Sequence, residues 1–227
     1  MTAVDAITEA QDVPVEWSAI RGTAKRAFDV VVGVPLCVLA VAPLLILALV
    51  LAVQHRASPV FVHQRIGHRG RTVSIPKLRT LPPGTPIYAD KTVTDLEPAS
   101  RFARFLRSSH LDELPQLFLV PLGRMSLVGP RPRMANEAAD HGDIAYEAVR
   151  TSVLQGCTGL WQISGHHGRV SDRPEFDHFY VEQHTLRLDA WILWRTVRQL
   201  FAPGEVGLDE IPAWTLRQPD RRVPDAA

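Results

Sequence analysis

The chain has 227 residues, of which 46% are hydrophobic and 22% are charged, and these are the values of an ordinary globular protein. Its 25 Lys and Arg residues nearly balance 24 Asp and Glu residues, so the net charge of +1 indicates no particular partner. Two cysteines, Cys37 and Cys157, exclude a disulfide framework and a Cys-x-x-Cys zinc site. So few cysteines fit a reducing, cytoplasmic setting for the polar part of the chain.

Residues 1–23 are predicted to form a cytoplasmic leader. The first 20 residues are mixed and acidic, with Asp5, Glu9, Asp12 and Glu16. They lack the basic start and the cleavage site of a signal peptide.

Residues 24–56 are predicted to enter a membrane. Residues 30–53 contain no charged, amide or hydroxyl side chain. A straight helix over this run would be roughly 36 Å long at about 1.5 Å per residue. The run also exceeds the threshold of about 18 apolar residues for a membrane segment. A buried core helix is the alternative, but such a helix normally keeps one polar face.

The shape of this membrane segment depends on its prolines and its flanks. Pro43 lacks an N–H group, so we expect a break or kink near it. Both flanks are basic, with Lys25 and Arg26 before the apolar run and Arg56 after it. Basic flanks held on the cytoplasmic side favour a re-entrant helix, which enters and leaves by one leaflet. A straight span, which would place Arg56 outside, remains the alternative.

A basic stretch follows the apolar run. Residues 54–89 contain six Lys or Arg residues and no Asp or Glu. This stretch is suited to anionic lipid headgroups, to a phosphorylated substrate, or to a solvated basic face. Within it, residues 59–67 and 71–80 read as short strands around a turn at 68–70.

The rest of the chain is predicted to be mainly helical. A Pro-rich loop is predicted at 82–98. Ser100 is then predicted to cap an amphipathic helix. The apolar face of this helix could lie in a membrane interface or pack on the core. Residues 134–150 are predicted to be helical with Glu147 mostly exposed, and residues 156–165 to form a turn and a short strand. One helix is predicted over 174–201, and a loose tail from 206.

The adjacent carboxylates Asp112 and Glu113 are the clearest candidates for chemistry. Arginines precede and follow the pair in the sequence. One carboxylate can attack phosphorus while its neighbour binds a divalent metal, and arginines can bind phosphate oxygens with paired hydrogen bonds. Asp-Glu pairs are also common on protein surfaces, so the pair alone does not establish catalysis.

Two motifs resemble the signature of a known family. The runs LDELPQ at 111–116 and MSLVGPRP at 125–132 are similar to the central signature of the bacterial sugar transferases, the monotopic polyprenyl-phosphate phosphoglycosyl transferases. Further motifs in the family's order extend the resemblance from about residue 24 to residue 201. They are KRAFD at 25–29, PVF at 59–61, QRIG at 64–67, KLR at 77–79, TGLWQ at 158–162 and the pair Asp177 and Tyr180.

The resemblance implies a fold and a reaction. The fold would be α/β and mostly helical, with a small cytosolic catalytic domain at 57–205 on an N-terminal re-entrant membrane helix, and with interfacial amphipathic helices. Asp112 would be the nucleophile that forms a covalent aspartyl phosphosugar, and Glu113 would bind Mg²⁺. The implied substrate-binding residues are Lys77, Arg79, Arg107, Arg131, Gln162, Asp177 and Tyr180. For Lys77 and Arg79 a surface role is the alternative, and for Asp177 and Tyr180 a packing or capping role.

The implied substrates are a UDP-sugar and undecaprenyl phosphate, and the implied location is the cytoplasmic face of the bacterial inner membrane. Membrane lipids, downstream glycosyltransferases and a second copy of the chain are further expected partners, whereas nucleic acid is not. A non-catalytic membrane module that binds lipid carrier or partner enzymes is the rival hypothesis. A protein that spans the membrane and carries a different enzyme on one face is the third.

Several positions depart from the family pattern. The usual Ser-Pro at the membrane break is Ala42-Pro43, and Arg124 replaces an acidic residue before Met-Ser. Residues 154–156 and 165–166 differ as well, in regions expected to bind nucleotide or sugar. These departures bear on the identity of the donor, and they leave Asp112 and Glu113 unchanged.

Overall fold

A computed structural model describes residues 19–85, 98–134, 143–165, 170–202 and 204–217. Within these ranges the chain is mostly helical, with two small two-stranded sheets, which confirms the mostly helical α/β class. The leader up to residue 18, most of the loop expected at 82–98 and the last ten residues lie outside the described ranges.

Helix α1 spans Ala19–His55 and contains both Pro35 and Pro43. It begins within the expected leader, and it is not interrupted at Pro43. A proline removes one helical hydrogen bond, and the residues on either side keep theirs, so the helix passes through. Within the described part of the chain, α1 is the one helix long and apolar enough to cross a membrane, judged by length and composition.

Helix α1 lies along the rest of the domain. Phe28 and Val32 near its start and Leu36 near its middle pack on the main core. Leu47 and Leu51 near its end pack with a second cluster. The opposite face leaves large apolar side chains exposed, namely Val31, Val34, Val38, Leu39, Val41, Leu45, Ile46, Leu49 and Val53. One face of α1 is therefore covered by protein along its length, and the other is an uncovered apolar stripe.

The first sheet is an antiparallel hairpin. Strand β1 covers Val60–Ile66 and strand β2 covers Thr72–Leu78, with Val60 opposite Leu78 and Ile66 opposite Thr72. A 3₁₀ turn at His68–Gly70 joins the strands. The two strands and the turn expected from the sequence are confirmed.

Helix α2 covers Arg101–Ser108 and begins as predicted, because the Ser100 hydroxyl accepts a hydrogen bond from the Ala103 N–H. Leu106 is fully buried against Leu51 and Leu78. Phe105 is 56% exposed. The helix therefore packs on the core through Leu106 and leaves one aromatic ring on the surface. A 3₁₀ helix at Leu111–Leu119 follows directly.

The second sheet joins two distant segments. Strand β3 at Ser126–Val128 pairs in parallel with strand β4 at Gly156–Thr158. Helix α3 at Ile144–Thr151 precedes β4, and the short helix α4 at Leu160–Ile163 follows it. The sequence predicted a turn followed by a short strand over 156–165. The structure instead has the strand first, at 156–158, and helix α4 where the strand was expected.

The C-terminal part differs from the sequence prediction in two ways. The single helix expected at 174–201 is two helices, α5 at Pro174–Gln183 and α6 at Leu186–Gln199. Thr185 begins α6, because its hydroxyl accepts a hydrogen bond from the Leu188 N–H. Residues 206–217 are not loose, since Val206 and Ile211 are buried in the main core.

Candidate active site

The carboxylate pair lies in the first turn of the 3₁₀ helix Leu111–Leu119. His110, in the left-handed conformation with φ 57°, forms the sharp turn between α2 and this helix. Asp112 is buried, with 8% of its surface exposed, and the Glu113 side chain is 15% exposed. Both acids lie at the positive end of the helix dipole, which favours negative charge.

Two cations converge on Glu113. Lys77 Nζ lies 2.5 Å from Glu113 Oε1, and Arg131 Nη2 lies 2.9 Å from the same oxygen. Arg131 Nη1 is 3.5 Å from the other oxygen, Oε2. Lys77 comes from β2 and Arg131 from the loop after β3, so the site joins three segments that are distant in the sequence.

The two carboxylates are in different electrostatic states. Burial raises the pKa of Asp112 to about 6, and the charge on Glu113 acts in the same direction, against Lys77, Arg107 and Arg131. Burial also acts to raise the pKa of Glu113, but the adjacent Arg131 and Lys77 outweigh it and hold that pKa well below its usual value. Glu113 is thus a fixed anion at neutral pH. Asp112 is a carboxylate that is poorly solvated, and its burial outweighs the nearby positive charges.

The loop that carries Arg131 is fastened to β4. Gly129 donates its N–H to the Thr158 carbonyl at 2.9 Å, and Gly156 donates to the Pro130 carbonyl at 3.0 Å. A Cβ on Gly156 would lie 2.1 Å from the Gly129 nitrogen, so these two backbones can approach only because position 156 has no side chain. The close approach fixes the start of the loop.

Arg131 is held on its other sides by an aromatic ring and by a second arginine. Its guanidinium carbon lies 5.6 Å from the centre of the Trp161 ring, within the range of a cation–π interaction. The Arg131 carbonyl accepts a hydrogen bond from Arg150 Nη2. Arg150 is fully buried and therefore supports the loop from the inside.

A buried ionic network surrounds Arg150. Asp177 Oδ2 accepts hydrogen bonds from Arg150 Nε at 3.0 Å and from the Tyr146 hydroxyl at 2.8 Å. Glu147 is paired with Arg133 and with Arg150. The expectation that Glu147 is mostly exposed is wrong, because two arginines draw this carboxylate inside, where it is 2% exposed.

The predicted site residues therefore fall into two groups. Lys77 and Arg131 contact Glu113, and the charge of Arg107 lowers the pKa of Asp112. The others make different contacts. Asp177 is buried behind the Arg131 loop. Tyr180 Oη lies 2.8 Å from Asp189 Oδ1 and 2.9 Å from the Val128 carbonyl. Arg79 donates to the Ser58 carbonyl at 2.9 Å.

Gln162 has a distinct environment on α4. Its two amide atoms are inaccessible to solvent and have no hydrogen-bond partner within the described part of the protein. Buried amides are normally satisfied, so this side chain is available to a ligand after a small movement. Its role as a substrate-binding residue stays a prediction.

Few sequence features pointed to the residues that support this site. Arg150 stands three positions after Glu147 on α3, a spacing that permits an ion pair on one helix face. The same spacing is common on solvated helices, so only the packing shows that this pair is buried. Trp161 lies within a recognised motif and Arg133 directly follows one, but the contacts of both depend on the fold.

The carboxylate pair fits a magnesium ion bound together with a substrate. Among the residues that the structure describes, no group of three or more His, Cys, Asp or Glu side chains is arranged to hold a metal ion. Mg²⁺ in phosphoryl-transfer sites is typically bound by one or two carboxylates plus substrate phosphates, so two carboxylates suffice. Glu113 Oε2, with its single long contact to Arg131, is the more available of the two Glu113 oxygens.

Comparison with known proteins identifies the family. Residues 20–203 match the family described as bacterial sugar transferase, and the chain belongs to this family. The match extends from α1 to the end of α6 and includes the carboxylate pair and the Arg131 loop.

Several curated proteins are similar to the chain. Exopolysaccharide production protein ExoY of Sinorhizobium fredii is 34% identical, over 86% of this chain and 95% of ExoY. The undecaprenyl-phosphate galactose phosphotransferase of Salmonella typhimurium is 33% identical, over 77% of this chain and 40% of that protein. The undecaprenyl-phosphate glucose phosphotransferase of Komagataeibacter xylinus is 34% identical, over 82% of this chain and 37% of that protein. The chain thus spans nearly all of ExoY but less than half of the two phosphotransferases.

Proposed function

We propose that the protein transfers a sugar 1-phosphate from a UDP-sugar to undecaprenyl phosphate, and so begins the assembly of a lipid-linked glycan such as an exopolysaccharide. The observation that carries the proposal is the contrast within the carboxylate pair. Asp112 is buried and free to act as a nucleophile, whereas Glu113 is held as an anion by Lys77 and Arg131. The names of the Salmonella and Komagataeibacter relatives describe the same class of reaction.

The first half of the reaction is assigned to Asp112. A carboxylate oxygen of Asp112 attacks the phosphorus that carries the sugar, a bond forms between them, and the bond from this phosphorus to the bridging oxygen breaks. The bridging oxygen leaves with UMP, and an aspartyl phosphosugar remains on the enzyme. Poor solvation of Asp112 favours this attack, because little water has to be displaced from the nucleophile.

The second half of the reaction restores the enzyme. An oxygen of the lipid phosphate attacks the same phosphorus, and the bond to the Asp112 oxygen breaks. The products are a polyprenyl diphosphate sugar and the free carboxylate. Because UMP leaves before the lipid phosphate reacts with the covalent intermediate, the proposal requires ping-pong kinetics.

The cations around the pair provide charge for the phosphates. Arg131 presents a planar guanidinium, and Arg107 and Lys77 add positive charge near Asp112, so the site suits a diphosphate. Mg²⁺, which we assign to Glu113, supplies charge neutralisation on the diphosphate when it is bound.

We further propose that α1 is a re-entrant membrane helix and that the domain faces the cytoplasm. The support is that both ends of α1 contact the same domain: Arg26 near its start donates to the Val120 carbonyl, and Gln54 near its end accepts from the Ser100 hydroxyl. A helix that crossed the bilayer and left by the far side would carry one of these ends away from the domain. The apolar stripe of α1 faces lipid in this arrangement.

Topology is tested by single cysteines in a background without Cys37 and Cys157. One variant carries Gly22→Cys and the other Arg71→Cys, at two exposed positions on either side of the apolar run. Labelling of intact cells and of inverted vesicles with an impermeant maleimide should place both positions on the cytoplasmic side. Labelling from opposite sides would contradict the re-entrant arrangement.

The reaction is tested by UMP release from a panel of UDP-sugars with Mg²⁺ and undecaprenyl phosphate. Asp112→Asn should abolish lipid-dependent release, and the control Asp209→Asn, at an exposed carboxylate, should retain it. Incubation of the wild type with a radiolabelled donor and no lipid should give a protein-bound sugar phosphate, which the Asp112 variant lacks. Absence of release with every donor, from folded and membrane-bound protein, would favour a non-catalytic module that binds lipid carrier.

A further inference from the structure

The 3₁₀ helix Leu111–Leu119 begins at the carboxylates and ends against the membrane helix. Arg26 of α1 donates from Nη1 to the Val120 carbonyl at 2.5 Å and from Nη2 to the Pro121 carbonyl at 2.6 Å. Val120 is the C-cap residue of this helix and Pro121 follows it, so both carbonyls lie at the negative end of the helix dipole. The Val120 carbonyl also accepts a hydrogen bond from the Gly123 N–H at 3.0 Å. Arg26 therefore adds positive charge and two further hydrogen bonds at this end of the helix.

Two more residues of α1 contact the same segment. Gly33 faces Val120 so closely that a Cβ there would lie 3.0 Å from the valine Cγ1. The Cys37 thiol donates to the Leu117 carbonyl at 3.3 Å. Arg26, Gly33 and Cys37 are seven and four residues apart, so they lie on one face of α1. This face supports the second half of the 3₁₀ helix.

The first half of the 3₁₀ helix is fixed from a different direction. Glu113 is held by Lys77 and Arg131, as described above. The eight steps from Asp112 to Val120 span about 16 Å at about 2 Å per residue, so the helix is a short rod with a support at each end. Loss of the support at Arg26 would let the rod tilt, and the carboxylates would move relative to Lys77 and Arg131.

We propose that Arg26 is a positioning residue for the carboxylate pair, through which the membrane helix sets the position of the nucleophile. The inference rests on the transferase function proposed above, to which it adds a role for a residue outside the site. Arg26 does not touch the substrate in this role. Its effect is on the geometry of Asp112, and a displacement of about 1 Å can reduce the rate of an enzyme about 100-fold.

The test compares Arg26→Gln and Arg26→Lys with the wild type. We expect Arg26→Gln to lower kcat about 10- to 100-fold, to leave KM for the UDP-sugar within about threefold, and to leave membrane retention unchanged. Arg26→Lys keeps the charge and one donor, so it should recover part of kcat. The matched control is Arg71→Gln, at an exposed arginine on the β1–β2 turn, which should behave as the wild type.

A second readout does not depend on activity. Hydrogen–deuterium exchange followed by mass spectrometry measures how tightly the 3₁₀ helix Leu111–Leu119 is held. If Arg26→Gln releases one end of this helix, its amides should exchange about tenfold faster than in the wild type, whereas the amides of α6 should exchange at the wild-type rate. Values are compared per folded enzyme, with folding checked by thermal unfolding.

The outcomes separate the two proposals. A wild type that is inactive with every donor, together with faster exchange in the 3₁₀ helix of Arg26→Gln, would remove the transferase function and keep the positioning role. An active wild type, with unchanged kcat and unchanged exchange in Arg26→Gln, would overturn the positioning role. A rise in KM alone would overturn it too, since it would show that Arg26 binds the donor.

Discussion

Lys77 Nζ lies 2.5 Å from Glu113 Oε1, and this contact joins the end of strand β2 to the first turn of the 3₁₀ helix that carries both carboxylates. The lysine side chain is 12% exposed and the glutamate side chain 15%, so the pair is poorly screened by water. The contact does two things: it keeps Glu113 ionised, and it ties the carboxylate pair to the hairpin.

Replacing Lys77 tests that contact. Lys77→Met should leave Glu113 with Arg131 as its cation, raise the pKa of Glu113 and lower kcat/KM at least about 10-fold, because one charge of the site is lost. Lys77→Arg should be milder because it keeps the charge. The measurement is donor kinetics at pH 7.5 with Arg71→Met as the control. Equal kinetics for the wild type and Lys77→Met would show that this cation has no part in the reaction.

The pKa of Asp112 predicts the acid limb of the pH profile. The nucleophile must be ionised, so the rate of UMP formation should fall about tenfold per pH unit below about pH 6. The measurement is a single turnover of the donor in the absence of undecaprenyl phosphate, so that the ionisation of the lipid does not contribute. A rate that stays constant down to pH 5 would contradict a nucleophile whose pKa is raised by burial.

Because the pKa of Asp112 is raised, we expect Asp112→Asn to increase the free energy of unfolding at high pH. The folded-state pKa of about 6 lies above the ordinary value of 3.8, so the folded protein binds this proton more tightly than the unfolded chain. That contribution is fully present below about pH 4 and is lost as the pH rises through about 6. At pH 8 the wild type carries a buried charge that asparagine lacks, and the variant should be about 1–3 kcal/mol more stable.

Thermal unfolding in detergent at pH 8 and at pH 5 measures this difference. The advantage of Asp112→Asn should be smaller at pH 5, where most of the wild-type carboxyl is protonated. An advantage of equal size at both pH values would mean that it does not come from the charge of Asp112.

Substitution of Asp177 tests whether this residue has a structural role or binds the substrate. Asp177→Asn leaves the buried Arg150 with a weaker partner, and removal of one partner of a buried ion pair costs about 3–5 kcal/mol. We expect a large loss of thermal stability and, in the protein that remains folded, an unchanged KM for the donor. The comparison variant is Asp209→Asn, at an exposed site. A raised KM with unchanged stability would instead establish Asp177 as a substrate contact.

Local patterns in the sequence were sufficient for several elements. The alternation and turn residues of 59–80 predicted the hairpin, because neighbouring strands joined by a short turn depend mainly on local preferences. Ser100 predicted the start of α2 through its cap, and the uninterrupted apolar run predicted a long helix. The candidate pair Asp112 and Glu113 was also visible, since the nucleophile and its neighbour are adjacent in the chain.

Elements that depend on distant partners were not predictable in the same way. Strand β3 pairs with β4 across 30 residues, from Ser126 to Gly156, and the local sequence, which predicted a turn before the strand, does not show this pairing. Val206 and Ile211 are held by a core that the local sequence does not display. A break or kink was expected near Pro43; α1 is not broken there, and the kink stays a prediction.

The family, the apolar helix and the two carboxylates can be recognised from the amino-acid sequence, because each depends on consecutive residues. The surroundings of the carboxylates depend on tertiary contacts. Lys77 and Arg131 reach Glu113 from positions 36 residues before and 18 residues after it. Asp177 lies inside an ionic network, and Arg26 ends the segment that begins with the nucleophile. Burial and charge pairing act through space, so the electrostatic states of Asp112 and Glu113 follow from packing.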